Sequence, residues 1–194
     1  MLGSMAGLAE EAQQGPTEAE LLAKPCEFSL IEANGEQPRL TYIEGVTPIL
    51  EVDGYKFKDL NKNGELDPYE DWRLTPEERT EDLLSRMSDK NKAAQMAHMT
   101  LVTLKESWFS DLDIGFALTY TYFAESKESA GEKMNYVQSL CEESELGIPV
   151  VFSMDSVIGA SWINDTTILP VAHEPDGFPA KFSSTLIASH FFPL

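Results

Sequence analysis

Basic residues are scarce in this sequence. Lys and Arg number 14 against 33 Asp and Glu in 194 residues, a formal net charge of −19. Such a chain repels phosphates, which argues against a nucleic-acid partner and against binding to anionic membrane surfaces. No apolar run approaches the ~18 residues of a membrane span. The opening residues, Met1-Leu2-Gly3-Ser4-Met5-Ala6, lack the basic start and long apolar centre of a secretory leader. Cysteine is scarce too: Cys26 and Cys141 have no metal-ligand spacing and form no disulfide framework. These absences set the expectation of a cytoplasmic protein. Apolar residues make up 42% of the chain, so a globular core is expected, with the acidity serving solubility.

Residues 1–73 read as a preface. Thr17-Glu18-Ala19-Glu20 is a capping box that starts one short helix before Pro25. Short extended pieces follow at Phe28-Ser29-Leu30-Ile31, Arg39-Leu40-Thr41-Tyr42-Ile43 and Ile49-Leu50-Glu51-Val52, with turn signals at Asn34-Gly35 and Asp53-Gly54.

The most specific local motif is Asp59-Leu60-Asn61-Lys62-Asn63-Gly64-Glu65-Leu66-Asp67-Pro68-Tyr69-Glu70. It fits the twelve-residue EF-hand-like calcium loop position by position. Asp59, Asn61 and Asn63 offer side-chain oxygens at positions one, three and five. Gly64 allows the sharp turn, Glu65 offers a carbonyl, Asp67 stands at nine and Glu70 at twelve. Calcium as a structural cofactor is one reading, and it would raise thermal stability rather than switch a partner. The other is a loop of Asx turns that caps itself and takes no metal. The flanks favour no helix–loop–helix: Val52-Asp53-Gly54-Tyr55 looks extended, and Thr75-Pro76 stops any helix after about two turns.

From residue 74 the pattern becomes helical. Thr75-Pro76-Glu77-Glu78 is a strong helix start, followed by an apolar stripe at Leu83, Leu84 and Met87. Ser88 caps a second helix carrying Ala93, Ala94, Met96 and Ala97. The methionines read as core, and His98, a lone histidine, as structural. Ile114 to Phe123 suggests a strand. Met134, Val137, Leu140 and Cys141 share one helical face, and Gly147 is the expected helix C-cap. Gly147-Ile148-Pro149-Val150-Val151-Phe152-Ser153-Met154-Asp155 then reads as a strand covered on both faces, with a carboxylate where it stops. In parallel α/β folds, functional groups collect at the carboxyl ends of strands. A helix N-cap or turn role for Asp155 is the plainer alternative.

Leu146 to Ala160 resembles the N-terminal domain of glycoside hydrolase family 3, in which an L-G-I-P-aliphatic run leads to Asp and then x-V-H-G. Arg79 to Met96 resembles that family's R-x-x-x-L-L-x-x-M-T-L-x-E-K-x-x-Q-M segment, with Asn91 where Glu is usual. The loop at 59–70, followed by Asp71-Trp72, is similar to a run ahead of the catalytic barrel in some bacterial members. The resemblance covers roughly residues 50 to 170. It implies an α/β fold: a partial (β/α) TIM-barrel fragment over 74–170 behind the small β-rich preface. It implies β-glucosidase-type, retaining hydrolysis of O-glycosyl bonds in carbohydrate metabolism, with a β-linked glucoside or oligosaccharide as partner. Asp155 matches the residue that binds hydroxyls of the terminal glycosyl unit, whereas Ile158 replaces the family's His.

Retaining glycosidases need two carboxyl groups, a nucleophile and an acid/base. In the resembled family both come later than the aligned region, so no catalytic residue is assigned and the chain alone is expected to be inactive. After Leu169-Pro170 the match stops, and Pro175, Gly177 and Pro179 stand where a helix should form. Residues 171–194 are therefore expected to be a divergent, truncated or out-of-frame tail, leaving an open sheet edge through which copies could self-associate. The competing readings are a non-enzymatic calcium-binding module and an unrelated (β/α) protein.

Overall fold

The computed structural model describes residues 16–23, 26–119 and 127–153. The Thr17 box forms as read: the Thr17 N–H and hydroxyl both donate to Glu20 Oε2, at 2.8 and 2.7 Å. Behind it runs α1 (Glu18–Ala23), which lies against α5 (Lys127–Glu143). Two antiparallel hairpins follow. β1 (Ser29–Ile31) pairs with β2 (Leu40–Tyr42), and β3 (Ile49–Val52) pairs with β4 (Tyr55–Lys58). The second hairpin turns on Asp53 and Gly54, at φ 56° and 81°. Positive φ at both central residues matches the right-handed strand twist, and Asp-Gly tolerates it.

The capping box at Thr75 is complete. Its hydroxyl accepts from the Glu78 N–H, while Glu78 Oε2 accepts from the Thr75 N–H at 3.0 Å. This begins α2 (Pro76–Arg86), and Ser88 caps α3 (Asp89–Gln95). One expectation changes here. Met96 is the C-cap of α3 and 86% exposed, so it is not core, whereas Met87 is buried. His98 opens a strand, β5 (His98–Leu101), and its Nε2 lies 2.6 Å from Ser153 Oγ.

A short helix, α4 (Ser107–Ser110), leads to β6 (Phe116–Thr119), and α5 leads to β7 (Val151–Ser153). The order is β5-β6-β7 and both pairings are parallel. Among the described residues this is a mixed α/β chain built of small sheets, none of them closed. The expected strand from Ile114 to Phe123 begins at Phe116, and its part beyond Thr119 lies outside the described residues. Val137, Leu140 and Cys141 of α5 are buried with Leu101, Phe109, Ala117 and Phe152 in one apolar core. The helix ends at Glu143 rather than at Gly147. Gly147 takes φ 61° in the turn that follows, where its N–H donates to Ser144 Oγ at 3.1 Å.

The sheet is covered on one face only among the described residues. Phe152 is buried, but Val151 is 41% and Phe116 43% exposed, so β7 is not sheathed on both sides as its unbroken apolar run suggested. The run Val150-Val151-Phe152 does not distinguish a doubly covered strand from one that awaits a second layer.

Asp113 joins α4 to β6 at φ 54° and is buried. Its Oδ2 accepts from the Asn91 amide at 2.7 Å. Burial pushes its carboxyl above the usual range, opposed by Ser144 and Asn91. A raised folded pKa favours the neutral form. Its contribution to stability is complete below the unfolded value of about 3.9 and is lost as pH rises through the folded value. Asp113→Asn is therefore expected to leave acid stability nearly unchanged and to raise stability at neutral pH by about 1 kcal/mol, the scale of one poorly paired buried polar group. Asparagine also tolerates this φ. Urea unfolding of both proteins across the acid-to-neutral range checks it, and a variant that tracks the parent at every pH would refute it.

Candidate functional site

The sequence points to two places, the loop at 59–70 and the carboxyl end of β7, and the structure adds a third, the contacts between the preface and α5. The carboxyl end of β7 is described only to Ser153, whose carbonyl accepts from Thr119 Oγ1 at 3.0 Å. Asp155 and Ile158 lie outside the described residues, as does everything beyond them. What is visible is the approach: two parallel strands run together toward the end at which Asp155 follows.

The loop is described in full. The Asp59 side chain is buried and accepts from two backbone donors, Asn63 N–H to Oδ1 at 3.0 Å and Gly64 N–H to Oδ2 at 2.9 Å. Gly64 reaches φ 81°, as the sharp turn requires. The Asn61 Oδ1 accepts from the Asn63 N–H at 3.1 Å, and Asn63 Oδ1 from the Glu65 N–H at 2.7 Å. Glu70 Oε1 accepts from the Leu60 and Asn61 N–H groups at 2.7 and 3.2 Å, and Oε2 from the Asp67 N–H at 3.1 Å. Burial raises the Glu70 carboxyl above its ordinary range, and these three N–H donors oppose the rise. Glu65 is exposed and enters the network through its backbone.

Asp67 is the centre of the arrangement. Its Oδ2 accepts from the amides of Asn61 and Asn63, each at 2.7 Å. Arg86, from the last turn of α2, holds the same carboxylate with two nitrogens: Nη1 to Oδ2 at 3.0 Å and Nη2 to Oδ1 at 2.7 Å. Arg86 Nε also donates to Asp82 Oδ2 at 2.8 Å, one helical turn back. The two carboxylates raise the guanidinium's pKa, Asp82 most. Sequence reading missed Arg86. Its only local signal was the Asp82–Arg86 spacing of four on a helix face.

Calcium needs six to eight oxygens converging at about 2.3–2.6 Å. Here hydrogen bonds link Asp59, Asn61, Asn63, Asp67 and Glu70 through the loop, Glu65 joins by its backbone N–H alone, and the two Asn amide nitrogens are turned onto Asp67. Both Asn amides present N–H to Asp67, and both amide oxygens are committed to backbone donors. As arranged, this donor set does not fit calcium. Among the described residues, no three His, Cys, Asp or Glu side chains converge as a metal-holding group.

The preface is fastened to the parallel unit by Glu142 of α5. Its Oε2 accepts from the Ile43 N–H at 2.9 Å and Thr47 Oγ1 at 2.6 Å, while Lys58 Nζ pairs with Oε1. Beside this contact is a cavity of about 410 Å³, lined by Leu40, Lys58, Tyr69, Arg79, Glu142 and Pro149 among others. Pro149 precedes β7, so the cavity borders the amino end of that strand and not the end that leads to Asp155.

No protein-family model matches the chain. The sequence is similar to a periplasmic beta-glucosidase/beta-xylosidase of Dickeya chrysanthemi, with 33% identity over 160 residues, covering 73% of this chain. The chain spans 24% of that relative's length. The relative's periplasmic placement overturns the cytoplasmic setting expected from composition. Cys26 and Cys141 form no disulfide with each other, and a lone pair of thiols suits a reducing or an oxidising compartment equally. The resemblance to a β-glucosidase-type protein holds: the chain is similar to part of a β-glucosidase-type glycoside hydrolase.

Proposed function

We propose that this chain is the stretch of a glycoside hydrolase family 3 protein that opens a (β/α) barrel, with residues 74–170 in the barrel domain and residues 1–73 as its preface. The observation that carries the reading is the parallel β6–α5–β7 crossover, whose last strand leads within two residues to Asp155. Similarity to a β-glucosidase/β-xylosidase supports the substrate class, a β-linked glycoside. In this reading Asp155 accepts hydrogen bonds from hydroxyls of the terminal glycosyl unit. Hydrolysis requires a nucleophile and an acid/base carried on further barrel segments, so residues 1–194 alone do not turn over substrate. Ile158, standing where the family has His, makes the subsite less polar.

The test is a graft. Residues 50–170 replace the matching segment of the Dickeya chrysanthemi relative, and an aryl β-glucoside is the substrate. Turnover by the graft is expected, with Asp155→Ala lowering kcat/KM by about 10- to 100-fold. That is the scale of one hydrogen bond to a charged group, about 1.5–3 kcal/mol. The 194-residue chain assayed alone is expected to show none. A folded graft whose activity ignores Asp155→Ala, or turnover by the chain alone that Asp155→Ala abolishes, would overturn the reading.

A further inference from the structure

We propose that Arg86 is the resident cation of the 59–70 loop, and that its guanidinium bars calcium from a sequence that otherwise spells a calcium site. Three observations carry this. The Asp67 carboxylate, at the ninth loop position, is held end to end by Arg86 through Nη1 and Nη2. Two further positions, Asn61 and Asn63, turn amide nitrogens onto the same carboxylate, an orientation fixed because their oxygens accept from Asn63 and Glu65 N–H groups. The twelfth position, Glu70, spends both oxygens on backbone N–H groups within the loop. A divalent ion would have to evict the guanidinium and turn both amides over.

The chemistry suits the replacement. A guanidinium is always charged, more weakly hydrated than an ammonium, and shaped to grip a carboxylate through two parallel bonds. Arg86 also rests over the Tyr69 ring, 5.6 Å from its centroid, and reaches Asp82. One side chain thereby ties the loop to α2. Calcium would neutralise the loop without making that tie. The loop is thus a joint between preface and barrel segment whose charge is balanced from within, independent of calcium concentration.

Calorimetric titration of the 194-residue chain with calcium, and thermal melts in calcium and in chelator, test the proposal. The native chain is expected to give no saturable heat and one melting temperature in both buffers. Arg86→Gln is expected to melt lower in chelator and to recover in calcium, with a dissociation constant of about 10⁻⁴–10⁻³ M, the weak end of such loops. If Arg86→Gln does not fold in either buffer, Arg86→Lys, which keeps the charge but cannot grip bidentately, is expected to show the same calcium-dependent gain. Saturable calcium binding by the native chain would overturn the proposal. So would a folded Arg86 variant that gains nothing from calcium.

Discussion

Glu142→Ala should loosen the second half of the preface on α5 and cost about 3 kcal/mol of unfolding free energy. Glu142 is buried and satisfies three donors from the preface: the Ile43 N–H, the Thr47 hydroxyl and the Lys58 ammonium. Removing one partner of a buried pair typically costs about 3–5 kcal/mol, because the other charge stays behind without compensation. Lys58 is partly solvated, with its side chain 20% exposed, which places the expectation at the low end. Glu142→Gln retains one acceptor oxygen and should cost less than half as much. Urea unfolding, with the slope monitored for loss of cooperativity, measures both. An alanine variant within about 1 kcal/mol of the parent would show that the contact is incidental.

Gly115→Ala is the second large effect. A Cβ placed there would lie 2.2 Å from the backbone carbonyl oxygen of Gln95 and 2.9 Å from its carbon. The obstacle is main chain at the end of α3, so no rotamer change relieves it. The Gly115 N–H also donates to the Ala94 carbonyl at 3.2 Å, and its own carbonyl accepts from the Val151 N–H at 2.9 Å. Displacing residue 115 therefore strains the α3 end and the register of β7 together. Overpacking usually costs about 1–3 kcal/mol, and a backbone clash belongs at the top of that range. The melting temperature should fall by about 8 °C or more. A crystal structure of the variant should show the end of α3 shifted; an unshifted helix with unchanged melting would refute the account.

What could be read ahead of the structure followed from how local each signal is. The boxes at Thr17 and Thr75, the Ser88 cap, the Asp53-Gly54 turn and the apolar face of α5 each depend on residues within one or two turns of one another. β5 was missed because only Met96 and Ala97 separate it from α3, with no Gly or Pro to mark the change and with its partner, β6, beginning 18 residues after it starts. The exposure of Met96 escaped because helical spacing places it on the apolar stripe, but α3 ends one residue before it. The loop residues were found by spacing, yet spacing does not encode which way an amide turns, nor that Arg86 arrives from 19 residues away to hold Asp67. Lys58, Glu142 and Asp113 carried no signal either, since each acquires its role from a partner distant in sequence.

The contact between Lys58 and Glu142 spans 84 positions of chain. On a ribosome adding about 5–20 residues per second, Lys58 waits roughly 4–17 s for its partner to be made. Both hairpins, by contrast, can form within about 10 μs of emerging. Through that interval the preface consists of two marginal hairpins with no partner layer, and the acidity around them is all that discourages contact between neighbouring nascent chains. The order in which the pieces leave the tunnel thus makes α5, the last complete helix described, the one that closes the assembly begun at the amino terminus.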